Sequence, residues 1–460
     1  MAETPEILPD HIPAVSARTV VDVHDWLAKG EVGRITALAA ELQPVDLAGL
    51  LELSTFDDRQ ILIGVLRDQI TPEVLSCLDP EVRDDVLERL PAREIAAVVA
   101  ELDSDDAVDL VEDLDDEQRA AVIASLPAAD RLVVEEALTY PEESAGRIMQ
   151  REVVAVPEDY TVGKTIDWLR DQAEHLPPAF HDVIVVDPFH KVVGTLPLYT
   201  LLRSVRGAKI REIMSEETQH IPVTMDREAV AHIFQRYRLQ SAPVVNTEDK
   251  LLGVITIDDV VEVLQEEAEE DIRQLGGVGT EESFHDDVMK ITRSRFSWLF
   301  INLLTAILAS LVVGLFEASL QKVVALAVLM PITASMGGNA GTQTLTVAVR
   351  ALATHDLVPS NYWRMILRET RIGFMNGIGF AVIMGGIAAV WFPDQPLIGP
   401  VIAAAMIINL LAAGFTGAAI PIALRHFGFD PAVSAAVFLT TVTDIVGFMA
   451  FLGLATLVLF

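Results

Sequence analysis

Two hydrophobic patterns divide the chain near His285. Before it, apolar residues recur at short intervals among many charges, which is typical of the amphipathic helices and strands of soluble domains. After it come five almost uncharged apolar stretches, at residues 296–316, 323–349, 372–393, 397–424 and 431–458. A helix needs about 20 residues to cross about 30 Å of hydrocarbon, so each stretch can span a membrane. The pattern predicts a soluble half followed by a transmembrane domain over 286–460, seated in a lipid bilayer.

The charges follow the same division. The whole chain carries a net charge of -34, whereas the residues after His285 hold nine Lys and Arg against eight Asp and Glu. A strongly acidic soluble half attracts cations and repels nucleic acid, which proteins bind through Lys and Arg. We therefore expect cationic ligands and no nucleic-acid partner. The single cysteine, Cys77, allows no internal disulfide, and the acidic first residues do not form the apolar core of a secretory signal.

Positive charges predict the orientation of the spans. If the first half is cytosolic, the inner flanks carry Lys290, Arg293, Arg295, Arg350, Arg364, Arg368, Arg371 and Arg425. The outer flanks then carry only Lys322. Cytosolic flanks are enriched in Lys and Arg, so we expect a multi-pass protein of the cell (inner) membrane, with its N-terminus cytosolic and its C-terminus outside.

The second span combines helix-weakening and polar residues. Pro331, Gly337, Gly338 and Gly341 fall in its middle, with the amide of Asn339 among them. Irregular backbone at membrane depth is tolerated where it lines protein or a water-filled cavity, so the pattern favours a broken helix beside a pathway. The alternative is that the small residues serve only close helix packing.

The fifth span contains a carboxylate, Asp444, near Thr440, Thr441 and Thr443. A charge at this depth costs about 2.5–3.5 kcal/mol on insertion scales, and no other ionisable residue falls within the predicted spans. Carboxylate, amide and hydroxyl oxygens are hard ligands that suit Mg²⁺ or Ca²⁺. We expect Asp444 to hold Mg²⁺ through its hydration shell; the alternative is a protonated Asp at a helix interface.

The soluble half begins with a leucine repeat. Leu78, Leu90, Leu102, Leu114, Leu126 and Leu138 are spaced by twelve residues. Asp or Pro follows each of the first five, and both residues favour a helix start. The spacing predicts short stacked helices, an all-α superhelical domain over 21–140 after a flexible segment 1–20.

A second repeat follows. Residues 185–202 align with residues 244–261 at an offset of 59, and each copy has a strand–turn–strand–helix pattern. This resembles a tandem pair of CBS domains (141–205 and 206–261), an α/β regulatory module that often binds adenosine nucleotides. Thr256 and Asp259 resemble the family's ribose-contacting pattern, but Leu196-Pro-Leu-Tyr199 in the first copy lacks it, which leaves ATP binding open.

A connecting helix is predicted over 262–285, where Glu267, Glu270 and Asp271 share one face. Their repulsion would be relieved by cations bound between this face and other acidic surfaces. Such surfaces are offered by Asp105 and Asp109 in the helical repeat and by Asp226 and Glu228 at a helix start in the second CBS copy. The alternative for each cluster is a solvated helix end.

The order of these parts resembles the MgtE magnesium channel/transporter family. The most specific motifs are Phe316-Glu317, Gly337–Gly341 with Gln343, Arg350–Thr354, Asp430-Pro431 and Thr440–Asp444. The resemblance implies a homodimer with Asp444 as the pore carboxylate, Asn339 near it and Asp430 at the cytosolic mouth.

The same resemblance implies regulatory Mg²⁺ sites between the soluble domains. They carry over onto Asp105, Asp109, Asp226, Glu228, Asp259, Glu267, Glu270 and Asp271. Arg238 departs from the family pattern, since it stands where an acidic ligand is expected.

The sequence thus favours a channel-like, Mg²⁺-selective transporter, a connecting helix that plugs the pore, and closure by cytosolic Mg²⁺. One alternative is a cation-coupled secondary transporter of divalent metals such as Mg²⁺ or Co²⁺, with Asp444 as a titrating site. A membrane-anchored CBS sensor is the other. We expect no enzyme, because no nucleophile–base set, zinc-ligand spacing or phosphate loop occurs in the sequence.

Overall fold

The computed structural model describes residues 15–278, 288–354 and 356–460. The chain forms two compact units that divide between Gln265 and Glu266. Most of the predicted flexible segment 1–20 and the last residues of the predicted connecting segment 262–285 lie outside the described residues.

Short helices open the first unit: α1 (Ala17–Lys29), α2 (Val32–Ala39), α3 (Pro44–Leu53), α4 (Phe56–Val65), α5 (Pro72–Ser76), α6 (Pro80–Leu87), α7 (Ala92–Val99), α8 (Ser104–Asp113), α9 (Asp116–Ser125) and α10 (Ala128–Ala137). Repeat leucines such as Leu78 and Leu114 are buried in their shared core. Helix α1 begins before residue 21 because the Ser16 side chain caps it.

Two arginines connect successive helices in the same way. Arg59 of α4 donates to the Leu51 carbonyl of α3 (3.1 Å), and Arg119 of α9 donates to the Val111 carbonyl of α8 (3.1 Å). The last carbonyls of a helix lack intrahelical donors, so each arginine satisfies a helix end. Arg59 is fully buried and pairs with Asp85 at 2.7 Å.

Two three-stranded sheets complete this unit. The first contains β1 (Ala155–Pro157), β2 (Asp182–Val186) and β3 (Val192–Pro197), with helices α11 (Val162–Asp171), α12 (Leu198–Arg203) and α13 (Ile210–Ile213). The second contains β4 (Ile221–Pro222), β5 (Ser241–Val245) and β6 (Leu251–Thr256), with α14 (Arg227–Tyr237) and α15 (Ile257–Leu275). In both sheets the first pair of strands is parallel and the second antiparallel.

The two copies exchange their leading segments, which the repeat alignment does not reveal. Met149 packs in the core of the second sheet, and Met214 packs against the core of the first. Glycine makes room for each segment: a Cβ at Gly253 would lie 2.4 Å from the Gln150 carbonyl oxygen. The two cores are therefore interlocked.

The second unit is helical. After the end of α15 it contains α16 (Val288–Gly314), α17 (Glu317–Lys322), α18 (Val324–Ala353), α19 (Tyr362–Trp391), α20 (Ile398–His426) and α21 (Pro431–Leu459). Among the described residues, five helices are long and apolar enough to cross a membrane: α16, α18, α19, α20 and α21. The predicted multidomain fold class is confirmed: a helical domain, an α/β CBS region and five apolar helices.

The prediction that the second span is broken is wrong. Helix α18 runs without interruption from Val324 to Ala353 and includes Pro331. One proline removes a single backbone hydrogen bond, which a packed transmembrane helix tolerates. Gly337 and Gly341 serve close packing instead, since a Cβ at Gly341 would lie 2.8 Å from Leu439, whereas Gly338 faces open space.

Candidate cation sites

Two carboxyl groups from distant parts of the chain meet in the first unit. Asp105 lies in the first turn of α8 and is only 9% exposed, while Asp259 lies in the first turn of α15. Asp259 accepts hydrogen bonds from the Thr256 backbone N–H (3.0 Å) and hydroxyl (2.8 Å). The Asp105 and Asp259 carboxyls lie close enough to share a proton. The contact joins the helical domain to the second CBS copy.

Burial and mutual repulsion both act on this cluster. Burial, and then the charges of Asp259 and Asp106, raise the pKa of Asp105 to about 9. Burial and neighbouring carboxylates raise the pKa of Asp106 to about 6, and burial also raises the pKa values of Asp259 and Asp103. Carboxylates placed this way need a proton or a cation between them.

The cluster suits a hydrated Mg²⁺ better than an ion fully ligated by protein. No described residue donates a hydrogen bond to the buried Asp105 Oδ1, so this atom can accept one from a metal-bound water. Across the described ranges, no three Asp, Glu, His or Cys side chains form a group that could hold a metal ion. Mg²⁺ keeps several waters and often uses one or two carboxylates, so the pair is a sufficient protein contribution.

Other predicted ligands of this unit have local partners. Asp109 pairs with the buried Arg83 at 2.8 Å. Asp226 caps α14 by accepting from the Glu228 backbone N–H at 3.0 Å, which leaves Glu228 in the first turn of that helix. Arg238 ends α14 in the left-handed conformation. Mg²⁺ binding at Asp109, Asp226 and Glu228 stays a prediction.

The end of α15 lies against the transmembrane helices. Leu275 packs against a cluster that includes Leu345 of α18 and Leu439 of α21. The same helix carries three partly exposed acidic residues one to two turns before Leu275, namely Glu267, Glu270 and Asp271. The acidic face of α15 therefore lies next to Leu275, and Leu275 contacts α18 and α21, the helices that contain the predicted pore residues.

The predicted pore residues occupy two packed helices. Asn339 is an exposed residue of α18, and Asp444 is a partly buried residue of α21. The helices meet where Gly341 faces Leu439. Asp430 is exposed and directly precedes α21.

The sequence interpretation missed two buried polar residues in this unit. The sequence predicts the third span at 372–393, but α19 begins at Tyr362 and so includes Glu369. The Glu369 side chain is 5% exposed and accepts a hydrogen bond from the Thr344 hydroxyl at 3.5 Å. The statement that Asp444 is the only ionisable residue within a span is therefore wrong. The second missed residue is the fully buried Asn409 of α20.

Comparison with known proteins supports the same division of the chain. Sequence profiles match MgtE, a divalent cation transporter, over 330–454, the MgtE intracellular N domain over 42–143, and a CBS domain over 210–266. The magnesium transporter MgtE of Thermus thermophilus is 31% identical over 447 residues, covering 96% of this chain and 99% of its own. The Bacillus subtilis MgtE is 29% identical over 430 residues, covering 94% and 95%.

Two solved structures are each similar to about half of this chain. The soluble part of a magnesium transporter is 27% identical, with a TM-score of 0.47, and covers 54% of this chain and 98% of its own. The cytosolic domain of the Mg²⁺ channel MgtE in complex with ATP is 29% identical, with a TM-score of 0.48, and covers 53% and 99%. Full-length similarity to the curated relatives, together with the matching domains and five apolar helices, shows that this chain belongs to the MgtE family of magnesium transporters.

Proposed function

We propose that the chain is a Mg²⁺-selective, channel-like transporter that takes up magnesium and closes when cytosolic Mg²⁺ is high. The observation that carries the regulatory part is the buried contact of Asp105 with Asp259. Bringing two carboxyls together costs free energy, and a divalent cation offsets that cost only while the two domains stay in contact. A ligand that binds one state better shifts the population toward that state.

Helix α15 transmits this binding to the pore. The same continuous helix carries Asp259 in its first turn and Leu275 at its end. Mg²⁺ at the face of Glu267, Glu270 and Asp271 relieves their repulsion, and Leu275 then stays packed against α18 and α21. At low Mg²⁺ the acidic groups repel, Leu275 leaves that contact, and the pore opens.

Asp444 selects the ion in this proposal. It holds hydrated Mg²⁺, with Asn339 nearby and Asp430 at the cytosolic mouth. The pore forms in a homodimer, the first unit lies in the cytosol and the C-terminus lies outside, in accord with the Lys and Arg placement. ATP is a further proposed ligand at Thr256 and Asp259, where a nucleotide would share the Asp259 carboxylate with the cation.

A cation-coupled secondary transporter is the second candidate, and Glu369 favours it. A buried carboxyl in a membrane-spanning helix is a group that proton-coupled transporters use. Its contact with the Thr344 hydroxyl connects α19 to α18.

Replacing Glu267, Glu270 and Asp271 together with Gln, Gln and Asn should leave Mg²⁺ flux intact and weaken its closure by cytosolic Mg²⁺. We expect the half-closing Mg²⁺ concentration to rise about tenfold, because losing about 1.4 kcal/mol of ion binding has that effect. Flux into liposomes, measured as Mg²⁺ on the cytosolic face is raised, tests this.

The control removes equal charge from exposed residues of the first unit: Asp57→Asn, Glu117→Gln and Glu135→Gln. This control variant should have the same half-closing cytosolic Mg²⁺ concentration as the parent chain. If the α15 variant closes at the same Mg²⁺ concentration as the parent chain, Glu267, Glu270 and Asp271 do not bind the ion that closes the pore.

A further inference from the structure

The amide of Asn409 fills a gap between two glycines of neighbouring helices. A Cβ at Gly337 of α18 would lie 2.2 Å from Asn409 Nδ2, and a Cβ at Gly447 of α21 would lie 2.7 Å from the same atom. Real Cβ atoms do not approach so closely, so both helices reach α20 here only because these two residues lack side chains.

The amide nitrogen of Asn409 donates one hydrogen bond, whereas its oxygen accepts none from the described residues. Asn409 Nδ2 donates to the Thr333 carbonyl of α18 at 2.8 Å. Within the described parts of the chain, Asn409 Oδ1 and Thr333 Oγ1 are both buried without a hydrogen-bond partner. An unpaired buried polar group costs about 1–3 kcal/mol, and leucine has the same branching and number of side-chain heavy atoms without that cost. Packing alone therefore does not account for asparagine.

The contact points lie next to the proposed pore residues. Gly447 follows Asp444 by three residues on α21, and Gly337 precedes Asn339 by two residues on α18. Residues three apart share a helix face, so the position of Gly447 against Asn409 also sets the position of Asp444.

We propose that Asn409 is a positioning residue of the pore. It fixes the separation of the segments of α18 and α21 that carry Asn339 and Asp444. One buried water, held by Asn409 Oδ1 and the Thr333 hydroxyl, completes the polar contact. This inference rests on the proposed pore at Asp444, and it assigns to Asn409 the role of setting the width of that pore.

Width matters because the competing ions differ in geometry. Mg²⁺ demands a nearly ideal octahedral shell at about 2.0–2.1 Å, whereas Ca²⁺ accepts longer and more variable distances. Loosening the contact of α18 and α21 with α20 should therefore weaken discrimination against Ca²⁺ more than it changes conduction itself.

The test compares Mg²⁺ and Ca²⁺ flux through the full chain in liposomes for Asn409→Leu, with Asn302→Leu as the matched control. Asn302 is an exposed residue of the membrane-spanning α16. We expect the Mg²⁺ preference over Ca²⁺ to fall about tenfold in Asn409→Leu, which corresponds to a loss of about 1.4 kcal/mol of discrimination, and to stay unchanged in the control. A parent-like ratio in Asn409→Leu would overturn the inference.

Two further variants keep the test decisive if Asn409→Leu does not fold. Thr333→Val removes the unpaired hydroxyl but keeps the carbonyl, and Gly447→Ala places a methyl group against the amide. Both should lower the Mg²⁺ preference, and parent-like ratios in both would again overturn the inference. If the parent chain conducts Mg²⁺ and the variants have its Mg²⁺/Ca²⁺ flux ratio, only the role of Asn409 is refuted. If the parent chain conducts no Mg²⁺, the proposed function itself is refuted.

Discussion

Replacing Asp444 with alanine should reduce Mg²⁺ flux through the reconstituted chain at least about 100-fold. A divalent cation that leaves bulk water needs a compensating negative charge, and an uncompensated buried charge costs about 3 kcal/mol or more. A barrier raised by that amount slows passage by about two orders of magnitude. Flux into liposomes, followed with an internal Mg²⁺ indicator, measures the loss.

Conservative replacements separate the charge of Asp444 from its shape. Asp444→Asn keeps the size and should be almost as inactive as alanine, whereas Asp444→Glu keeps the charge and should retain part of the flux. Asp394→Ala, which removes an exposed carboxylate between α19 and α20, should match the parent. Substantial Mg²⁺ flux in Asp444→Asn would contradict a pore built on this carboxylate.

Asp105→Asn should make the intact chain more stable than the parent at pH 8 when divalent cations are chelated. Burial and Asp259 raise the pKa of Asp105 to about 9, so the folded chain retains a proton that the unfolded chain releases above about pH 4. The stability from this group is fully present below about pH 4 and is lost as the pH rises toward 9. Asparagine is neutral throughout, which should flatten this pH dependence by several kcal/mol, since raising a pKa by one unit corresponds to about 1.4 kcal/mol.

Adding Mg²⁺ at pH 8 should make the parent chain more stable than Asp105→Asn, the reverse of the order expected with chelator. The cation replaces the shared proton, so it should stabilise the parent strongly at pH 8, less at pH 5, and much less in Asp105→Asn, where only the other proposed Mg²⁺ sites remain. Thermal unfolding of the full chain in detergent, with chelator or with excess Mg²⁺, measures both effects. The control Asp57→Asn, on the exposed surface of α4, should behave as the parent does in every condition. Equal stabilisation of Asp105→Asn by Mg²⁺ would show that the cation binds elsewhere.

Local periodicity predicts most of the fold. The twelve-residue leucine spacing, the two copies offset by 59 residues and the five apolar stretches each produce the expected elements, because a repeated pattern of burial needs only neighbouring residues to define it. Boundaries were less predictable. Four of the first ten residues of α19 are charged, so this part of the helix resembles a loop by hydropathy alone.

The sites depend on contacts that local patterns do not contain. The sequence indicates both Asp105 and Asp259 as ligands, but they lie 154 residues apart in the chain, so no local pattern predicts that they meet. The glycines of α18 suggested a broken helix because their partner, Asn409, lies far along the chain in an otherwise apolar span. Glu369 was missed because Arg368 and Arg371 beside it suggested a solvated flank.

We propose above all that Mg²⁺ moves down its own gradient through this chain and that cytosolic Mg²⁺ stops this movement. The most direct test is Mg²⁺ flux into liposomes containing the intact chain, with no H⁺ or Na⁺ gradient, at low and at high Mg²⁺ on the cytosolic face. We predict rapid flux at low cytosolic Mg²⁺ and closure at high Mg²⁺. Flux that requires a gradient of a second ion, or that is unaffected by cytosolic Mg²⁺, would contradict the account.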